Sequence, residues 1–537
     1  VPENPNYVIV GSGPSGIAAA VALVRRGHQV TIVDVGDELE EERAAVVSRM
    51  SQQSVEQWSP EDINEISGTR RQTNDAVHSK QTYGSSFSFA PGESEPRIKW
   101  LRKQGFHHSH ARGGLSNVWG AAMLPFRQED IADWPIEIRD LEEHYRAVME
   151  FVPCTAAGGT LEDILPSYST ASAALRPSVQ AADLSKQMES CAEGLSGVGI
   201  RFGKSRLAIR AEATNGQMGC QYCALCLSGC PYKLIHSSAH TLRELIDSGK
   251  VTYLGKHFVE NFHHDGDEVV VSGKKLDHGG KFSLRATRLF VAAGVIPTAA
   301  LVLASLGAYG KQLTLRDSQY FIYPLLKFWK TPDVDSERMH TSAQLFMEID
   351  DPAISAHLVH IQIYGYSAFL REELERTFLR WPLRNRIFRR EFLGRLMVAQ
   401  GFLHSTHSGT VHLELKRDAD GTSHLECETR RTFSTRAKVF RVGLKLLLQA
   451  FRTMAIPLIP AVKIPSPGSS YHCGGSFPMS QSPGEFETDT LGRLPGHPRV
   501  HIVDASVLPS IPATTVSFSL MANAHRIASL AQALRSE

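Results

Sequence analysis

No apolar run in this 537-residue chain approaches the roughly 18 residues needed to span a bilayer. Net charge is nearly absent too: 57 Lys and Arg against 56 Asp and Glu leave +1, so there is no overall electrostatic case for binding nucleic acid. Internal repeats and low-complexity segments are missing. The opening Val1-Pro2-Glu3-Asn4-Pro5-Asn6 lacks the basic and apolar regions of a signal peptide. The expected location is cytoplasmic, with an export signal already removed left open because the first residue is Val1. Cysteine is sparse, and four of the eight (Cys154, Cys191, Cys427, Cys473) are scattered. That pattern is no secreted disulfide framework and fits a reducing compartment.

What is present is an ordinary globular composition, 42% hydrophobic and 21% charged, in a chain too long for one core. Two or more domains are expected. The most informative stretch is Val8-Ile9-Val10-Gly11-Ser12-Gly13-Pro14-Ser15-Gly16, followed by an alanine-rich helix. An apolar strand running into G-x-G-x-x-G and then a helix is a dinucleotide fingerprint. Gly11 makes the turn, Gly13 lets backbone approach a pyrophosphate, and Gly16 lets the helix pack on the strand. The helix start, at Pro14 and Ser15, offers free N–H groups and a partial positive charge to phosphates. Asp34 closes a second strand 23 residues after Gly11, where a ribose hydroxyl partner belongs. NAD and FAD suit this pattern equally.

Further along, residues 37–100 read as a helix or two and then an irregular surface excursion, the kind that is often a lid. Arg112-Gly113-Gly114-Leu115-Ser116-Asn117-Val118-Trp119 suggests backbone laid against a flat ligand, with a plain glycine loop as the alternative. Residues 130–205 read as mostly helical, with a helix from Glu137 to Phe151. Strands are expected at 251–254, 268–271 and 288–291, the last entering a second glycine turn at Ala293-Gly294. Residues 344–349 and 357–363 alternate as strands, and 410–428 reads as a hairpin turning at Asp420-Gly421. Between them, Phe369 to Phe402 is a basic amphipathic stretch with eight Arg from Arg371 to Arg395, broken by Pro382. Its plainer reading is a helix pair with a solvated Arg face; the alternative is contact with an anionic membrane surface or a redox partner. A small-residue helix from Ser517 to Leu534 ends the chain.

Four separated pieces together resemble one family. The glycine loop, Gly113-Gly114-Leu115-Ser116-Asn117, Tyr471-His472-Cys473-Gly474-Gly475-Ser476 and Val503-Asp504-Ala505-Ser506-Val507-Leu508-Pro509 resemble the glucose–methanol–choline (GMC) flavin oxidoreductases. The resemblance implies FAD, alcohol or sugar oxidation, and His472 as the base that accepts the substrate hydroxyl proton. A histidine suits that role because its ordinary pKa, about 6.5, lies near neutrality. The resemblance also implies that Gly11, Gly13, Pro14, Ser15, Gly16, Asp34, Arg112, Gly113, Gly114, Ser116, Asn117, Ala293, Gly294, Asp504 and Ala505 hold the cofactor. Two positions depart from the pattern. Thr515 stands where the family usually has a second His or Asn, and Thr is no base near neutral pH. Asn523 and His525, further on, are read simply as part of the last helix. Val118 stands where some sugar oxidases tether flavin through a His, so non-covalent FAD is expected.

Cys220-x2-Cys223-x2-Cys226-x3-Cys230-Pro231 has bacterial ferredoxin spacing. No second cysteine run exists, so [4Fe–4S] on four thiolates and [3Fe–4S] on three both stay open. Zinc and disulfides are the alternatives. An iron–sulfur cluster would pass electrons to an external acceptor, a protein or a quinone.

The expected fold is α/β. An FAD-binding Rossmann-like, GMC-type domain is assembled from 1–130 (with the 37–100 excursion), 206–310 (with the cysteines at 220–230) and 466–537. A second, α+β substrate domain on an antiparallel sheet comes from 131–205 and 311–465, which are also expected to build the substrate pocket. The expected activity is an FAD-dependent dehydrogenase oxidising an alcohol group of a sugar, glycoside or related alcohol. The alternatives are an oxidase with a structural zinc site, or a flavin-fold binding protein whose catalysis has decayed, as Thr515 hints.

Overall fold

The strands expected around the glycine loop pair as one parallel sheet. Its order is Val500–Ile502, Arg288–Val291, Tyr7–Val10, Val30–Val33 and Val251–Leu254. Both faces are covered, which is why these strands read as continuous apolar runs. The computed structural model describes residues 6–67, 81–91, 96–101, 107–156, 158–214, 216–375 and 380–531. Expectations that fall on residues 1–5, on parts of the excursion (68–80 and 92–95), on Arg376, Phe378 and Leu379, and on 532–534 lie outside the described residues.

Helix Pro14–Arg25 packs on helix Val516–Leu530, which in turn packs on helix Arg139–Met149. The buried alanines Ala18, Ala19, Ala20 and Ala22 keep the first helix thin enough for this. Gly11 and Gly16 matter for the same closeness. Gly11 has φ +98°, and a Cβ there would stand 2.4 Å from the Ala292 carbonyl oxygen. A Cβ on Gly16 would stand 2.0 Å from the Gly11 carbonyl oxygen, so the helix could not approach the strand.

Two further five-stranded sheets lie beyond the parallel one. The first runs Cys473–Gly474, Gln312–Asp317, Thr410–Arg417, Ser423–Arg430 and Arg97–Trp100, antiparallel except for its last pair. The second is antiparallel throughout: Tyr320–Leu326, Leu396–Phe402, Val359–Tyr364, Leu345–Ile349 and Ile200–Lys204. A three-stranded meander covers 257–286.

Several expectations need correction. Among the described residues of 130–205, α-helix is confined to Arg139–Met149, Val179–Glu189 and Ala192–Gly197, and Ile200–Lys204 is a strand; Pro153, Pro166, Pro177 and Gly158-Gly159 keep most of the segment between the first two helices irregular. Arg97–Trp100 is a paired strand inside the expected irregular excursion. Pro382 lies within the helical segment Arg380–Arg384. The break falls at Asn385, whose side chain caps Arg386–Leu393 through the Ile387 and Phe388 N–H groups at 2.9 and 3.1 Å. The end of that stretch, Leu396–Phe402, is a core strand, not surface helix.

Candidate active site

The glycine loop, the second glycine turn, the Asp504 turn and one face of the second antiparallel sheet border a single cavity of about 1130 Å³. Pleat alternation explains which sheet residues reach it: Tyr320 and Ile322, then Val398, Gln400 and Phe402, then Gln362 and Tyr364. Gln362 and Gln400 are direct cross-strand partners. None of the described residues of 130–205 lines the cavity, so that half of the pocket expectation is corrected. The excursion does reach it, through Phe89.

At the loop end, Gly11, Gly13, Pro14, Ser15 and Asp34 line the cavity, as do Ala293, Gly294, Gly114 and Ser116. Ser12, absent from the expected set, ties these pieces together. Its hydroxyl donates to Asp34 and accepts the Gly113 N–H at 2.9 Å. Tyr253 donates to Asp34 at 3.2 Å. Burial raises the Asp34 pKa to about 6, against the pull of these two donors. Gly16, Arg112, Gly113 and Asn117 do not line the cavity. Arg112 lies over the Tyr253 ring at 4.8 Å and pairs with Glu38. Asn117 instead pins the loop, donating to the Arg112 and Gly114 carbonyls, each at 2.9 Å.

Asp504 joins two elements. It accepts from the Gly294 N–H at 2.9 Å, Thr298 at 2.5 Å and the Ser506 N–H at 2.9 Å. It borders the cavity with Ala505. Burial raises its pKa, opposed by those donors.

His472 stands where the sheet face meets the Asp504 turn. Its ring stacks on Phe402 with centroids 4.7 Å apart. Two residues on, a Cβ on Gly474 would stand 2.2 Å from the Ala505 carbonyl oxygen. Burial, aided by His360, lowers the His472 pKa to about 3, so the imidazole is neutral at pH 7 and a weaker base than a free histidine. Its Nδ1 is buried with no partner among the described residues. Leaving such an atom unpaired costs about 1–3 kcal/mol, and a ligand in the cavity is a natural partner. Asp317 shapes the loop that presents His472. It accepts from the Gly468 N–H at 2.7 Å, Ser470 at 2.5 Å and the Cys473 thiol at 3.4 Å. Thr515 also lines the cavity, but its hydroxyl donates to the Ala122 carbonyl at 3.0 Å. Val118 lines the cavity where a tethering His would stand. Asn523 and His525 do not reach it: Asn523 holds Arg526, and His525 contacts His144 at 2.9 Å.

Cys220, Cys223, Cys226 and Cys230 all line one small second cavity, walled by Ile209, Leu234 and Ile235. Cys226 and Ile235 border the large cavity as well. All eight cysteines are free thiols, so the disulfide alternative is not realised. Burial raises Cys220 to about 12 and Cys230 to about 11. Among the described residues, no three His, Cys, Asp or Glu side chains stand close enough to hold one metal ion.

Residues 6–81 match the pyridine nucleotide-disulphide oxidoreductase family, and residues 405–524 match the GMC oxidoreductase family. The second segment contains His472, Asp504 and Thr515. Together the two matches support an FAD-dependent oxidoreductase acting on CH–OH groups. A crystal structure of pyridoxine 4-oxidase from Mesorbium loti shares the fold at 14% identity, with a TM-score of 0.58 over 99% of this chain and 100% of that one. No curated protein matches the chain in sequence. Among the described residues, no helix is long and apolar enough to cross a membrane.

The sequence missed Ser12, Tyr253 and Asp317 because each is defined by a distant partner. It missed Gln362, Tyr364 and Gln400 for another reason. Alternation marks a strand but not which face borders a cavity.

Proposed function

We propose that this oxidoreductase is a dehydrogenase that oxidises an alcohol group of a sugar, glycoside or related small alcohol, with His472 as the base. The observation that carries the reading is a buried, neutral His472 with an unpaired nitrogen, in the cavity that also holds the glycine loop. FAD fits that cavity, with Gly11–Ser15 and Asp34 toward its ADP half and Ala293, Gly294, Asp504 and Ala505 further along. Bound there, FAD supplies the hydride acceptor for the carbinol carbon. His472 takes the hydroxyl proton as that carbon is oxidised. Tyr364, Gln362 and Gln400 offer hydrogen bonds to the substrate's other polar groups. Thr515 keeps an acceptor lone pair toward the cavity while its proton goes to Ala122.

The same reading gives the four cysteines an iron–sulfur cluster. Ferredoxin spacing, four thiols on one cavity and the wall that Cys226 shares with the large cavity support it. Such a group supplies one-electron transfer toward an external acceptor.

The test is an anaerobic screen of sugars and alcohols against the flavin visible bands, with iron and acid-labile sulfide measured on the same sample. Bleaching by an alcohol with stoichiometric iron and sulfide is expected. Bleaching without iron would remove the cluster and leave the alcohol oxidation. No bleaching by any alcohol would overturn the dehydrogenase.

A further inference from the structure

Helix Phe433–Thr453 is apolar on the wrong side. Its inner face, with Val439, Val442, Leu446 and Ala450, is buried in the core of the second antiparallel sheet. Yet Phe440, Leu444, Leu448 and Phe451, spaced four, four and three apart, form a second stripe that faces solvent. Phe433, one residue at the helix start, is 82% exposed; Phe440 is 73% and Phe451 69% exposed. Burial of the inner face cannot explain this stripe, and a helix kept only for solubility would carry polar residues there.

The helix also carries Arg436, Lys438, Arg441, Lys445 and Arg452 and no Asp or Glu, in a chain whose net charge is only +1. Lys445 pairs with Asp351, and Lys438 and Arg441 reach the Ile354 and Ala353 carbonyls. Arg436 and Arg452 are exposed and form no ion pair among the described residues. They flank the stripe. At the same end of the sheet, helix Arg386–Leu393 and its neighbour expose Ile387 at 76% and Trp381 at 71%. Leu326 exchanges backbone hydrogen bonds with Leu458, and Lys327 bonds the Arg395 carbonyl, so the two helices lead into adjacent chain segments.

We propose that this face docks on an anionic lipid surface, the phenylalanines entering the acyl boundary and the arginines meeting headgroup phosphates. The helix has the makings of an interfacial anchor, with an apolar stripe, cationic flanks and no acid. A second copy of the chain fits poorly, because pairing the face with itself sets Arg436 and Arg452 against like charges. The proposal rests on the exposed helix, not on the redox reading.

Flotation of the flavin-loaded full chain with vesicles tests it, comparing phosphatidylcholine alone with phosphatidylcholine plus phosphatidylglycerol. The expected result is recovery with anionic vesicles only, falling as salt rises. F440S/F451S is expected to abolish recovery, and R436E/R452E to weaken it by roughly fivefold or more for each charge removed. Both variants are expected to keep wild-type thermal melting and flavin content. Absence of flotation would overturn the proposal, as would binding that both variants retain, or a wild-type dimer that the variants dissolve without any vesicle binding.

Discussion

Replacing His472 by Asn tests the chemistry most directly. Asn keeps a polar side chain of modest size against Phe402 but cannot take a proton near neutral pH. The wild-type imidazole is buried and its pKa is lowered to about 3, so at neutral pH it is uncharged, and its unpaired Nδ1 is the acceptor the substitution removes. General-base catalysis is worth typically about 10²–10⁴-fold, equivalent to about 3–5 kcal/mol of barrier. The assay is anaerobic stopped-flow reduction of bound flavin by an alcohol identified in the screen. The expected outcome is a fall of that size in the reduction rate, with flavin content and thermal melting unchanged. The pH profile carries a second constraint. Protonation disables the base, so the wild-type rate is expected to lose its acid limb well below the ordinary histidine value of about 6.5. An unchanged rate in the Asn variant would refute the assignment and move the base to His107 or His108, which also line the cavity. A wild-type acid limb near the ordinary value would refute the burial argument.

Two further outcomes follow from buried groups. His144, His236, His404 and His472 are held near about 3, and His340, His501 and His525 near about 4, in each case chiefly by burial. The unfolded chain takes a proton on each at about 6.5 while the folded chain refuses it. Their stability contribution is therefore complete above about 6.5 and lost as pH falls toward the folded values. Asp34 and Asp317, raised to about 6 by burial, and Asp504 and Glu348, also raised by burial, act the other way, but these four carboxyls stand against nine imidazoles once His240 and His407, held near about 4, are included. A melting temperature that drops steeply on mild acidification is expected, and a flat profile would contradict it. Gly11→Ala puts a Cβ against the Ala292 carbonyl at φ +98°. The strained backbone alone costs about 1–3 kcal/mol, so lower denaturant resistance and lost flavin are expected; a fully loaded variant of wild-type stability would count against the close approach.

The glycine loop, the His472 loop and the Asp504 turn were legible in the sequence because each is local. Its residue types are dictated by its own backbone turn or by chemistry that few side chains perform. Gly16 was legible as a packing residue for the same reason. Arg112 and Asn117 were misplaced as cavity residues, since adjacency in sequence to Gly114 does not fix which way a side chain leaves the loop. The basic stretch from Phe369 was read as surface, but its last seven residues form a strand of the cavity wall, because sheet pairing overrides local amphipathicity. Only the tertiary structure could bring Ser12 to Gly113, Asp317 to Cys473, or Cys226 to the edge of the large cavity. These contacts join residues from 101 to 156 positions apart where both partners lie in one bond, and no local pattern encodes them. The sequence by itself determined the backbone of the turns, where glycine is required. The packing of three sheets decided which side chains face the cavity, and which apolar ones were left facing out.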